Sequence, residues 1–352
     1  MIGGCNPDHP GYRGFLYNVL LAADILSEQG STADRIVFIQ MSPSYDGEEL
    51  PPPEVRLLQR VEVQIRYIPK PISESFYDAT LQKFRILTLT KYRRVLFLDA
   101  DVLPVANLDF FFHLSDAGPE SILRPNVVVA GPLEPSNAGL FMLQPGDGEY
   151  KELQEVMQKR KQKVKSMPGT TFDSVEGWGH VMAEPDSWRS TKYRGQNWTF
   201  QAAHGDQGLL YYWVKYQKKN ASLICANHVE TWSALPNGTV YLQKRKRDVL
   251  WNTSRPIQVF YQECLRWAQR TCIAPYDSFV HFTGRDKPWI HKPPRDISEE
   301  HKMKSRKYFW WWRLKKLNDK INIGVDIFNW RPMPKPSLGL FSGLSDTNNR
   351  EE

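Results

Sequence analysis

Asp99 and Asp101 stand one residue apart, directly after the apolar run Val95–Leu98, in the stretch RVLFLDADVLPV. Side chains alternate along an extended chain, so residues separated by one position point the same way. Two carboxylates on one side of a rigid strand end form a hard oxygen site, suited to Mn²⁺ or Mg²⁺ bridging phosphates. Asp-x-Asp alone is more often a surface turn; its position after a core strand is what favours a cation.

A second cluster is HFTGRDKPW, His281 to Trp289. His281 is a borderline metal ligand, Gly284 lets the backbone approach a ligand, and Lys287 offers a point charge for phosphate. Singly, these residues read as a structural histidine, a turn and a solvated lysine; together they complement the two acids. The third cluster is HGDQGLLYYW, where Asp206 and Gln207 open a helix and Asp also serves as an ordinary N-cap. In the fourth, SNAGLFMLQP, Asn137 is equally explained by turn chemistry.

The elements that must position these residues alternate in type. Tyr12–Gln29 reads as a helix, Arg35–Met41 as a strand, PPPEVRLLQR as a proline-led helix and Val61–Ile68 as a strand. Asp78–Tyr92 reads as helix and Val95–Leu98 as strand, followed by short strands at Val127–Ala130 and Gly139–Leu143. A helix over 148–165, one over Gln207–Lys218 and short strands near Leu223 and Val259 complete the set. Alternation of this kind predicts an α/β fold with a mostly parallel sheet and helices on both faces. Ligands then bind beyond the carboxyl ends of the strands, where the acids lie. The Gly- and Trp-rich stretch 168–205 reads as a long irregular excursion able to cover a site.

The 352 residues carry a net charge of +7, unevenly placed. Residues 1–150 hold 12 basic and 19 acidic side chains, leaving +14 on the remainder, a bias that suits an anionic ligand. Nothing in the sequence points to nucleic acid. The four cysteines, Cys5, Cys225, Cys264 and Cys272, lack zinc spacing; Cys264 and Cys272 either pair across a short loop or remain free thiols. Four Asn-x-Ser/Thr sequons, at Asn197, Asn220, Asn237 and Asn252, lean towards a Golgi or secretory lumen, with cytoplasm the alternative. No stretch reaches transmembrane length. KYFWWWRLKK is either a packed helix with a charged outer face or, through 308–316, a membrane-interface segment. The tail over 331–352 reads as disordered.

In order and spacing, DAD after VLFL, NAGLFMLQP, HGDQGLL and HFTGRDKPW resemble family 8 glycosyltransferases, glycogenin-like members above all. The resemblance spans about Asn6 to Trp289. It implies a GT-A fold over 1–290, with 291–330 a basic, aromatic helical extension. It also implies a UDP-sugar donor, Mn²⁺ (or Mg²⁺), and transfer of a hexosyl or related sugar with retention to a glycan, protein or lipid acceptor. Carried over to this chain, Asp99, Asp101 and His281 match the metal ligands. Gly284 and Lys287 match diphosphate contacts, Lys83 a lysine near the donor, Tyr12 the tyrosine packing on uracil, and Asn137, Asp206 and Gln207 residues around the donor sugar. Gln207 is a poor nucleophile, so no covalent glycosyl-enzyme is expected through it.

The chain departs from the pattern at its start. Only MIGGC precedes the segment aligned at Asn6, so the family's first strand is expected to be mostly or wholly absent, together with any N-terminal membrane anchor. An inactive or truncated relative with a binding role is the alternative reading.

Overall fold

The computed structural model describes residues 1–71, 76–115, 123–129, 134–166, 172–182, 197–200, 202–224, 228–233, 239–241, 278–284, 286–302, 305–327 and 329–333. The first sheet is parallel: β1 (Ile2–Cys5), β2 (Arg35–Met41) and β3 (Val63–Ile68) lie in that order. Helix α1 (Arg13–Glu28) links β1 to β2, and α2 (Pro52–Arg60) links β2 to β3. Proline at its first turn and Arg60 in its last suit α2, because the first amides of a helix have no partner there and a cation complements the carboxyl end.

Ile2–Cys5 corrects the expectation for the start of the chain, because MIGGC does supply a strand. Ile2 pairs with Ile39 and Cys5 with Met41, and an irregularity between the two pairs leaves Gly4 at a φ of +66°, which glycine tolerates. Ile2 and Cys5 are buried, which holds this short strand against the core.

The second sheet has six strands in the order β10–β9–β8–β6–β7–β4: β4 (Val95–Leu98), β6 (Asn126–Val129), β7 (Asn137–Leu143), β8 (Asn220–Ile224), β9 (His228–Ser233) and β10 (Thr239–Tyr241). Only β6 and β8 are parallel within it; the other neighbours are antiparallel. The mostly parallel sheet expected from alternation is thus confined to the N-terminal half. β6 and β7 are successive strands with no helix between them among the described residues, so β7 returns antiparallel. A third pairing, antiparallel, joins β5 (Val102–Pro104) to β11 (Phe279–His281).

The helix expected over Asp78–Tyr92 is shorter. Helix α3 (Phe76–Leu81) passes into a tight 3-10 turn over Gln82–Thr88. Helix α4 (Phe110–Leu114) follows β5, α5 (Glu149–Ser166) follows β7, and α6 (Asp206–Tyr212) runs on as a helical turn to Lys218. Lys219, at a φ of +49°, stops it. The expected strand near Val259, three of the cysteines (Cys225, Cys264 and Cys272) and the tail from 334 lie outside the described residues.

Helix α7 (Arg306–Ile321) holds KYFWWWRLKK. Trp310 and Trp311 are fully buried and join the core formed by α1 and the first sheet. The packed-helix reading of this stretch therefore holds. Arg313 reaches Asp24 of α1 at 2.7 Å and Glu28 at 2.8 Å, and Nε1 of Trp310 donates to Asn18 at 3.1 Å. No helix among the described residues is long and apolar enough to cross a membrane.

Candidate active site

The cluster begins where β4 ends. Leu98 pairs with Leu140 on β7, and the next amide, of Asp99, donates to the carbonyl of Gly139 at 2.8 Å. The amide of Val102 then closes a turn onto the Asp99 carbonyl. This turn carries Asp101 round towards β11, where His281 pairs with Val102 and the amide of Phe282 donates to the Asp101 carbonyl at 3.0 Å. Backbone pairing thus brings residues remote in sequence to one point.

There, one ligand atom each of Asp99, Asp101 and His281 lies within 4.8 Å of the others. Nε2 of His281 is 3.3 Å from an Asp101 oxygen. Two carboxylates and an imidazole form a mixed hard and borderline donor set that fits Mn²⁺ and accommodates Mg²⁺. The three residues are partly buried.

Two lysines flank the acids. Nζ of the buried Lys83 lies 3.0 Å from Asp99, 2.5 Å from Asp206 and 3.1 Å from the Ala138 carbonyl. Lys287, also buried, donates to Asp101 and to the Phe282 carbonyl. Burial alone would raise the Asp101 carboxyl, but the His281 hydrogen bond and the Lys287 charge outweigh it and hold Asp101 well below the usual range. The Asp99 carboxyl moves the other way: burial, with Asp101 and Asp206 nearby, raises it against the pull of Lys83. Burial would lower the Lys83 ammonium, yet Asp206 and Asp99 raise it, so Lys83 stays charged.

Of the residues singled out in the sequence, Asp99, Asp101, His281, Lys83, Asp206 and Lys287 meet in one network. Asn137 is held beside it: its amide nitrogen donates to Glu134 at 2.8 Å, and its oxygen accepts from the Gly139 amide at 2.9 Å. The Gln207 carbonyl accepts from Ser136 at 2.8 Å, which ties the start of α6 to the segment entering β7. Gly284 takes a φ of +71°, the left-handed conformation that favours glycine between His281 and Lys287. Tyr12 lies just ahead of α1. It is 6% exposed, within the core of α1, and its hydroxyl donates to Glu54 at 2.5 Å.

Three residues near the site were not singled out for these roles. Gly139 leaves room for the imidazole: a Cβ there would stand 2.2 Å from Cε1 of His281. Glu54 receives both Tyr12 and Arg13. Asn18, fully buried on α1, donates to the Val102 carbonyl at 2.9 Å and so links α7 to the strand after Asp101. A polar residue within the apolar face of α1 is the one signal in the sequence that marks Asn18.

The glycosyl transferase family 8 profile matches residues 56–292, two-thirds of the chain and the span that contains Asp99, Asp101 and His281. The chain is a member of glycosyl transferase family 8. It is 27% identical over 121 residues to UDP-glucuronate:xylan alpha-glucuronosyltransferase 1 of Arabidopsis thaliana, covering 32% of this chain and 18% of that protein. With putative UDP-glucuronate:xylan alpha-glucuronosyltransferase 3 of the same plant it shares 24% identity over 144 residues, covering 40% and 21%. The family 8 chain therefore spans about a fifth of the length of these relatives. Among solved structures, the galactosyltransferase LgtC in complex with donor and acceptor sugar analogs aligns at a TM-score of 0.39 and 12% identity, over 86% of this chain and 92% of that one. The glycosyltransferase GlyE of Streptococcus pneumoniae TIGR4 aligns at 0.39 and 13% identity, over 88% and 61%.

Proposed function

We propose that this family 8 member transfers a hexosyl or related sugar from a UDP-sugar to a glycan, protein or lipid acceptor, with retention and with Mn²⁺ (or Mg²⁺) bound at Asp99, Asp101 and His281. The observation that carries the reading is the convergence of those three ligand atoms within 4.8 Å. A divalent cation there supplies charge neutralisation for a departing nucleoside diphosphate.

The chain's own residues do the rest. Lys287 and the Gly284 turn bind the diphosphate, Lys287 leaving Asp101 for phosphate oxygen as the donor enters. Lys83 holds Asp206 and Asp99 in one network. Asp206, Gln207 and Asn137 orient the donor sugar. Gln207, a neutral amide, stabilises positive charge on the sugar without forming an ester, and the acceptor attacks from the face the diphosphate leaves. Tyr12 packs on the uracil of the donor, its hydroxyl held by Glu54. The sequons motivate a Golgi or secretory lumen.

Release of UDP from a panel of UDP-sugars with Mn²⁺, before and after Asp101→Ala, tests the proposal. At least one donor should turn over, and the substitution should lower the rate by about 10³-fold, the scale of losing a main source of charge stabilisation. An unchanged rate in Asp101→Ala would remove the metal assignment. If no donor protects the fold against heat in the presence of Mn²⁺, the inactive-relative reading stands instead.

A further inference from the structure

The packed face of α5 ends in a cation. Leu153, Val156 and Met157 turn towards the core that α6 also joins, and the next position at helical spacing is Arg160. Arg160 is only 8% exposed. Its guanidinium lies over the Phe172 ring, 4.3 Å from the centroid. Its Nε and Nη2 are buried, and among the described residues neither has a hydrogen-bond partner. Burial lowers this group from its ordinary value against the pull of Asp173, yet an arginine keeps its charge at neutral pH. Asp173 itself directs an oxygen to the amides of Val175 and Glu176, at 2.9 and 3.2 Å. An unpartnered buried charge is costly to keep, so the fold holds this one at a standing loss of stability.

We propose that Arg160 binds an oxyanion of the acceptor, a carboxylate or phosphate group on an acidic saccharide, through Nε and Nη2. Those two nitrogens form one edge of the guanidinium, the edge whose parallel N–H groups meet both oxygens of such a group. Stacking on Phe172 holds the cation without engaging either donor. Phe172 and Asp173 are only half-buried and Val175 is exposed, so the cover over the guanidinium lies at the surface. The site also adjoins the chemistry. Phe172 stands 6.2 Å from the His204 ring, and His204 feels the charge of Asp206, two residues on. Two rings thus lead from Arg160 to the acid that Lys83 holds beside the metal ligands. With the donor diphosphate at Lys287 and the Gly284 turn, an anion at Arg160 comes from the other substrate. This rests on the sugar-transfer reading and narrows its acceptor. The positive excess of residues 151–352 favours the approach of such an acid.

The test titrates glucuronate, glucose 6-phosphate and glucose calorimetrically into the full chain at neutral pH, with Mn²⁺ and UDP present. At least one of the acids should bind about tenfold or more tightly than glucose, and the stronger one names the group as carboxylate or phosphate. Equal binding of all three would overturn the proposal. Arg160→Met, which keeps a stem packed on Phe172, should remove the preference; Arg160→Lys, which keeps the charge but lacks the two-donor edge, should remove most of it. Lys159→Met, at the exposed neighbouring position, should leave it intact. A preference that survives Arg160→Met, or falls equally in Lys159→Met, would show general attraction to a basic helix and sink the assignment. Without ligand, Arg160→Met should melt no lower than the wild type; a Tm lower by about 4 °C or more would make Arg160 a structural residue and overturn the site. Tighter binding of UDP-glucuronate than of UDP-glucose, abolished by Arg160→Met, would put the anion on the donor instead and overturn the acceptor assignment. UDP titrated first, with Mn²⁺ alone, reports separately on the transfer reading: its failure with the acid preference intact removes that reading and keeps the anion site, and the reverse result removes the site.

Discussion

Gly139 and His281 are in contact so close that a single methyl would not fit: a Cβ on Gly139 would lie 2.2 Å from Cε1 of the imidazole and 2.7 Å from Nδ1. The glycine on β7 thereby fixes where the histidine on β11 can stand relative to Asp99, whose amide binds the Gly139 carbonyl. Gly139→Ala should weaken Mn²⁺ binding by about 10–100-fold, the range seen when a residue that orients a metal ligand is lost. Isothermal titration with Mn²⁺ would measure it. Wild-type affinity in the variant would show that His281 is free to move without cost.

Lys83 is the cation between Asp99 and Asp206. Lys83→Met leaves two largely buried carboxylates facing each other, and breaking a buried pair in this way costs about 3–5 kcal/mol. Urea denaturation in metal-free protein should show that loss, and Mn²⁺ should restore part of it by neutralising Asp99. Asp206→Asn in the Lys83→Met background should also recover stability, because one of the two opposed charges is gone.

Helix α7 should act on the site from a distance. Trp310→Phe trims a fully buried indole and removes its Nε1 donor to Asn18, and the buried acceptor left unpaired costs about 1–3 kcal/mol by itself. Since Asn18 also holds the Val102 carbonyl, the Mn²⁺ affinity should fall while Trp311→Phe, which trims the neighbouring buried indole of the same helix, leaves it unchanged. Calorimetric Mn²⁺ titrations of the two variants separate a positioning role from simple loss of core.

The same helix should loosen in acid. Burial would raise the Glu28 carboxyl, but hydrogen bonds from Arg313 and Lys316 prevail and lower it from its ordinary value of 4.5. A carboxyl depressed in the folded state contributes stability that is present above 4.5 and disappears as pH falls through its lowered folded value. Stability measured by urea denaturation should therefore drop with pH below that point, and Glu28→Gln should flatten this part of the profile. An identical slope in the variant would show that Glu28 contributes nothing to the docking of α7.

Asn197 begins the sequon Asn-Trp-Thr with its own residue exposed, while Trp198 beside it is buried. Expressed through a secretory pathway, the chain should carry a glycan at Asn197, detectable as a mass shift reversed by amidase treatment. An unmodified Asn197 in secreted protein would remove the main support for a lumenal setting.

The sequence by itself determined the local elements and the chemistry of the parts. The helical spacing of Leu16 and Leu20 and the apolar run Val95–Leu98 mark their helix and strand without any tertiary information. Asp99, Asp101, His281 and Lys287 carry recognisable chemistry because carboxylate, imidazole and ammonium groups at element ends are few and motif-bound. Tertiary structure decided what these parts do to one another. Whether β7 runs parallel or antiparallel to β4 depends on pairing between segments remote in sequence, which no local propensity encodes. Asn18, Glu54 and Gly139 take their meaning from neighbours distant in sequence, so burial and hydrogen bonding give them roles that their residue types do not. Tyr12 likewise gains from the tertiary structure a partner that its type does not name, the Glu54 carboxylate on α2.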